Sequence, residues 1–202
     1  MTDDSFETTE EAYVTLRLNY RRLVELPEGE MDEEWVAYIL PILYQQASKL
    51  FSIVVQFCTD ESCPTMAVEE GRECYWPTSD GQDEALTASE YIEQCLAWFK
   101  AMLDNPQLFP GDPAASYPGG YFQVCLLMVR RLLHVYQHIY HAHNAEVAKY
   151  GFRLHLNTAY RYLLAFACRF GLVEKTDTDP SAQFLEAWGI KVDDLPTDAG
   201  AE

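Results

Sequence analysis

Cationic side chains are scarce in this chain: 14 lysines and arginines stand against 32 aspartates and glutamates, a formal net charge of −18. That balance excludes a protein that grips nucleic acid or an anionic membrane, since either needs a broad basic face. It favours basic partners instead. Long apolar runs are missing too, with none approaching the roughly 18 residues that cross a bilayer. The opening MTDDSFETTEE is acidic and lacks the basic-then-apolar order of a secretory leader. We therefore expect a cytoplasmic or nuclear protein, where the six cysteines are free thiols or metal ligands more often than disulfides. No glycine-rich phosphate loop, nucleophile elbow or HExxH occurs, which removes the commonest sequence marks of catalysis. Strand signals are few and repeats are absent. With 49% hydrophobic residues in 202, what remains can bury one full core.

Histidine is rare as well, and four of the five lie in one stretch, His134-Val-Tyr-Gln-His138-Ile-Tyr-His141-Ala-His143. A helix over 121–141 would gather Gln123, Arg130, Arg131, His134, Gln137, His138 and His141 on one polar stripe, about a third of the circumference. The rest of its surface is apolar, so the pattern predicts a central helix buried everywhere except along a stripe open to ligands.

Around this hub the periodicity predicts further helices over 12–24, from Glu33 to Phe57 with a kink at Pro41, from Ser89 to Leu103, over 152–170 up to Gly171, and over 181–189. Ser89 is the expected cap of its helix. Residues 67–88 read as an irregular excursion with room for a short β-hairpin, and DNPQLFPGDPAASYPGG as a proline-rich loop. The expected organisation is an acidic leader at 1–11, a single helical domain over 12–190 and an acidic tail at 191–202. The fold class is mostly α, a helical bundle.

Cys58 and Cys63 flank four residues at a helix exit, with Pro64 after them. Thiolate and imidazole are the ligand types of tetrahedral zinc. Periodicity leaves the choice of histidines open. His134/His138 and His138/His141 each lie within about 60° on an unbroken helix, whereas His138 and His143 lie some 140° apart. The remaining thiols, Cys74, Cys95, Cys125 and Cys168, are expected in the core, with Cys74 nearest in sequence to the metal loop. His155 and Asn157 read as local hydrogen-bonding groups, His141 as a surface residue, and Tyr75 with Trp76 as cover for the metal loop.

CTDESCPTM, HIYHAH, LPEGE ahead of Trp35, and HLNTAYRYLLAF together resemble the Mob family, the kinase activators related to phocein, over about residues 20–175. The resemblance implies a helical fold around a four-helix core and a structural zinc ion, Zn2+, on Cys58, Cys63, His138 and His143. That pairing requires the hub helix to break between His138 and His143. Four protein ligands would leave zinc no open position, so the implied protein is not an enzyme. The resemblance further implies that Arg130, Arg131 and His134 bind phosphothreonine segments of upstream kinases or scaffolds. A histidine stands where the family has a permanent cation, so affinity should rise as pH falls toward 6. It also implies that Glu30, Glu34, Trp35, Tyr38 and Ile42 dock the basic N-terminal region of NDR/LATS-type kinases; Ile42 replaces an expected aspartate. The implied role is a monomeric adaptor in Hippo or mitotic-exit-type signalling. The alternatives are a phocein-like scaffold component without kinase activation, or a zinc enzyme. Thr8, Thr9 and Thr15 are candidate phosphorylation sites.

Overall fold

A computed structural model describes residues 13–78, 81–112 and 114–192. The acidic leader, and the tail beyond Val192, lie outside the described residues, as do Thr8 and Thr9. Four helices form the core: α2 (Asp32–Val54), α3 (Ala88–Leu103), α4 (Tyr121–Lys149) and α5 (Arg153–Arg169). A single turn, α1 (Tyr20–Leu23), precedes them, and α6 (Ala182–Trp188) follows a 3₁₀ segment at Thr176–Ser181.

Each core helix exists because its apolar residues recur at three- and four-residue steps. On α2 the buried set is Val36, Ile39, Leu40, Leu43, Ala47, Leu50, Phe51 and Val54, and three acids occupy its first turn, where the helix dipole favours them. The helix runs through Pro41, which leaves the Ala37 carbonyl without its usual helical donor. Helix α3 is capped by Thr87, two residues before the expected Ser89. The Thr87 side chain accepts from the Glu90 amide and the Glu90 carboxylate accepts from the Thr87 amide, a reciprocal capping box. Gly171 and Gly189, at φ +61° and +64°, end α5 and α6 in the left-handed conformation that glycine adopts without strain.

Helix α4 passes through this core. It is continuous for 29 residues, so the expected break between His138 and His143 does not occur. Nor is its polar stripe open along its length. Gln137 and His138 are buried, because the first hairpin and the 3₁₀ segment pack along that side. The excursion before α3 contains two hairpins rather than one: β1 (Ala67–Glu69) pairs with β2 (Arg72–Glu73), and β3 (Trp76–Pro77) with β4 (Asp83–Glu84), both antiparallel.

The helix expected over 12–24 shortens to the single turn α1. Residues 14–19 form a strap without regular secondary structure, because α5 and, at the adjoining Tyr13, α6 supply hydrogen bonds in place of a helical ladder. Thr158 Oγ1 accepts from the Leu16 amide at 2.9 Å, Asn157 Nδ2 donates to the Val14 carbonyl at 2.8 Å, and the Trp188 indole donates to the Tyr13 carbonyl at 2.9 Å. Asn157 is therefore a long-range tether, not a local group. Among the described residues no helix is long and apolar enough to cross a membrane.

Candidate metal centre and docking surfaces

The end of α2 delivers Cys58, whose amide still bonds the Val54 carbonyl at 3.1 Å. A tight turn returns the chain to Cys63. Thr59 and Ser62 hold that turn: Ser62 Oγ accepts from the Thr59 amide at 2.9 Å, and the Thr59 carbonyl accepts from the Cys63 amide at 2.8 Å. Helix α4 presents His138 and His143 to both sulfurs. Cys58 Sγ lies 3.5 Å from His138 Nε2, and Cys63 Sγ lies 3.5 Å from His143 Nε2. All four donor atoms fall within 4.8 Å of one another, and all four residues are buried.

These separations fit a tetrahedral ion. With bonds of about 2.3 Å to sulfur and 2.0–2.1 Å to nitrogen, a sulfur–nitrogen edge of the tetrahedron is about 3.5 Å. Five helical residues advance about 7.5 Å and turn the chain by about 140°, so the histidines start far apart. Their rings close the gap by leaning together, to a centroid separation of 5.2 Å at 74°, without a break in the backbone. The Ala67 carbonyl of β1, 2.8 Å away, takes the Nδ1 proton of His138 and leaves its Nε2 lone pair facing the sulfur. Burial pushes the Cys58 thiol up to about 12, with Cys63 adding to the rise, and it pulls His138 down to about 4. The protein alone thus disfavours a Cys58 thiolate, and a bound cation would favour it. The cluster can hold a metal ion.

Trp76 does not turn outward as a lid; it packs edge-on against Tyr91 and Trp98. Tyr75 is largely exposed and donates to Glu73. His141 is exposed and His155 lines a cleft, while Cys95 and Cys125 are core thiols, and Cys74 and Cys168 are half-buried.

The basic stripe is less available than its sequence suggests. Arg130 Nε bonds Asp177 at 2.9 Å and its Nη2 lies 2.5 Å from Glu174. The Arg131 guanidinium carbon lies over both Trp76 and Trp98, 4.2 and 4.1 Å from the ring centroids. His134 Nδ1 lies 2.9 Å from the Tyr91 hydroxyl. Burial raises Tyr91, which therefore keeps its proton and donates it, while burial and three neighbouring arginines lower His134 to about 3. Protonation of His134 near pH 6, expected from its free side chain, does not fit this environment.

At the start of α2, Trp35 and Tyr38 stack at 5.5 Å and 17°, with Tyr38 63% exposed. Together with Pro27, Glu30 and Glu34 they line a shallow cleft of about 350 Å³. A second cleft shares Pro27 and Trp35 with it and runs to Leu18 and Leu23. Those two leucines also border a third, of about 540 Å³, between the strap, α2 and α5, and Ile42 lines its wall. The result is one continuous face, acidic at one end and apolar at the other. Leu18, in the strap, has no place in the helical spacing of 12–24, and only the packed fold brings it beside Leu23 and Ile42.

Fold and site together define a helical domain in which a buried Cys2His2 cluster gathers where the end of one core helix meets the side of another. The model of the Mob1/phocein family matches residues 12–181, and the chain belongs to that family. It is 32% identical to a protein named MOB kinase activator-like 1A from Arabidopsis thaliana over 84% of this chain and 80% of that protein. It is 29% identical, over the same shares, to MOB kinase activator-like 1 homolog A from Dictyostelium discoideum.

Proposed function

We propose that this chain is a non-catalytic adaptor that docks the basic N-terminal regulatory region of an NDR/LATS-type Ser/Thr kinase and shifts that kinase toward its active state, in the cytoplasm or nucleus. The observation that carries the reading is the continuous face from Glu30 and Glu34 through Trp35 and Tyr38 to the apolar cleft at Ile42. Acids steer a basic segment to the surface, and burial of apolar side chains then supplies affinity. Ile42, which offers no ion pair, extends the apolar wall instead. The names of the relatives, kinase activators, support the same reading. A regulator of this kind acts by binding one state of its kinase better than the other.

Zinc is the metal we assign to Cys58, Cys63, His138 and His143. It would neutralise both thiolates and crosslink the exit of α2 to α4, and a shell filled by four protein ligands offers no catalytic position. Phosphothreonine binding by Arg130, Arg131 and His134 is the less supported part of the proposal, since Arg130 already has acid partners. That pairing is what favours the alternative, a phocein-like scaffold component that keeps the fold without activating a kinase.

The test is calorimetric titration with the N-terminal region of an NDR/LATS-type kinase. Ile42→Lys, and separately Glu30→Lys with Glu34→Lys, should each weaken binding at least about tenfold while the thermal melt is retained. A wild-type affinity left unchanged by both would contradict the docking assignment.

A further inference from the structure

The 3₁₀ segment Thr176–Ser181 lies against α4 and is bound there as a peptide would be. Asp177 and Glu174 engage Arg130. Gln137 Nε2 donates to the Asp177 carbonyl at 2.9 Å. Arg72, from strand β2, donates through Nη2 to the Thr176 carbonyl at 2.7 Å and faces Asp179 at 4.0 Å. Arg72 also meets Glu69 of its own hairpin at 3.4 Å, and its side chain is 37% exposed. Arg131 differs from both. Among the described residues it forms no ion pair, and its guanidinium carbon lies over two indole rings. A guanidinium held against aromatic faces and paired with no acid keeps its charge for an oxyanion.

Three arginines from two elements therefore share one region, and anionic groups of the same chain already occupy two of them. The turn offers what a phosphorylated peptide would offer: carboxylate oxygens on a guanidinium fork, and backbone carbonyls for Arg72 and Gln137. We propose that the acidic turn Glu174–Asp179 is an intramolecular competitor for an anion site whose third cation is Arg72, not His134, so that a phosphothreonine peptide binds only by displacing the turn. This inference rests on the phosphopeptide part of the proposed function. It supplies a threshold that part lacks, because only a ligand with more charge than a carboxylate gains by the exchange.

The experiment is fluorescence anisotropy at low salt with a labelled nonapeptide carrying one phosphothreonine, alongside its unphosphorylated twin. Glu174→Gln, and Glu174→Gln with Asp177→Asn, should each bind the phosphopeptide about tenfold or more tighter than wild type and ignore the twin. Adding Arg72→Ala to Glu174→Gln should remove most of that gain. Should the double variant fail to fold, Glu174→Gln decides alone, because it retains the bond from the residue-174 amide to Asp177. The competitor is overturned if wild type binds the phosphopeptide and Arg130→Ala weakens it, yet Glu174→Gln and Arg72→Ala change nothing. The phosphopeptide reading itself falls, taking the competitor with it, if no folded protein in the series distinguishes the phosphopeptide from its twin.

Discussion

His134 shows how far a residue's surroundings can move it from its free chemistry. Its ring accepts from Tyr91 and sits among Arg72, Arg130 and Arg131, and burial with those charges lowers it to about 3. A histidine depressed in the folded state binds its proton first in the unfolded chain. Its contribution to stability is complete above about pH 6.5 and is lost progressively as pH falls toward 3. We expect His134→Gln to flatten this dependence, so that between pH 7 and pH 5 wild type loses about 1–2 kcal/mol more than the variant. Urea unfolding of both proteins at the two pH values measures the difference; parallel losses would show that His134 is not the sensor. At this scale the sequence was informative about residue type and weak about environment. Periodicity could place Arg130 and His134 on one stripe, but not Glu174 and Asp177, more than forty positions away, beside Arg130.

Helix α4 carries the corresponding lesson for elements. Its apolar period was strong enough to mark the core helix and its polar stripe from residue spacing alone. What periodicity cannot show is side-chain reach, so a pair some 140° apart looked as though it required a broken helix when two leaning rings suffice. The strap at 14–19 departs for a different reason: its apolar spacing fits a helix, but hydrogen bonds with Asn157 and Thr158, and from Trp188 to the adjoining Tyr13, hold it in a non-helical form. At the start of α3 the deciding signal was present, Thr87 three residues before Glu90, and it outranks Ser89. Thr87→Ala should cost about 1 kcal/mol in chemical denaturation, and Ser89→Ala no more than about 0.5 kcal/mol. Equal costs would mean that the reciprocal cap is not what fixes this helix.

For the molecule as a whole, a metal ion on the Cys2His2 cluster would help a surface spread over distant segments hold one shape. Cys58 and Cys63 follow α2, whose opposite end carries Glu34, Trp35 and Tyr38, while α4 packs against α2 and α5, the two helices that wall the apolar cleft. Family resemblance, not spacing, selected His138 and His143 from the four candidates, and the geometry then accommodates that choice at 3.5 Å sulfur–nitrogen distances. Zinc sites in small peptides contribute about 10–16 kcal/mol, an upper scale for a domain with its own core. Chelation should therefore lower the melting temperature by tens of degrees and weaken kinase docking in parallel. A verified metal-free protein that melts unchanged would remove the structural role.

The account turns on a closed metal centre, and X-ray absorption at the zinc edge of the purified protein tests it most directly. It predicts one zinc per chain with two sulfur neighbours near 2.3 Å, two imidazole nitrogens near 2.0–2.1 Å and no further oxygen neighbour. A water in the coordination shell, or a protein that takes up no zinc, would contradict it.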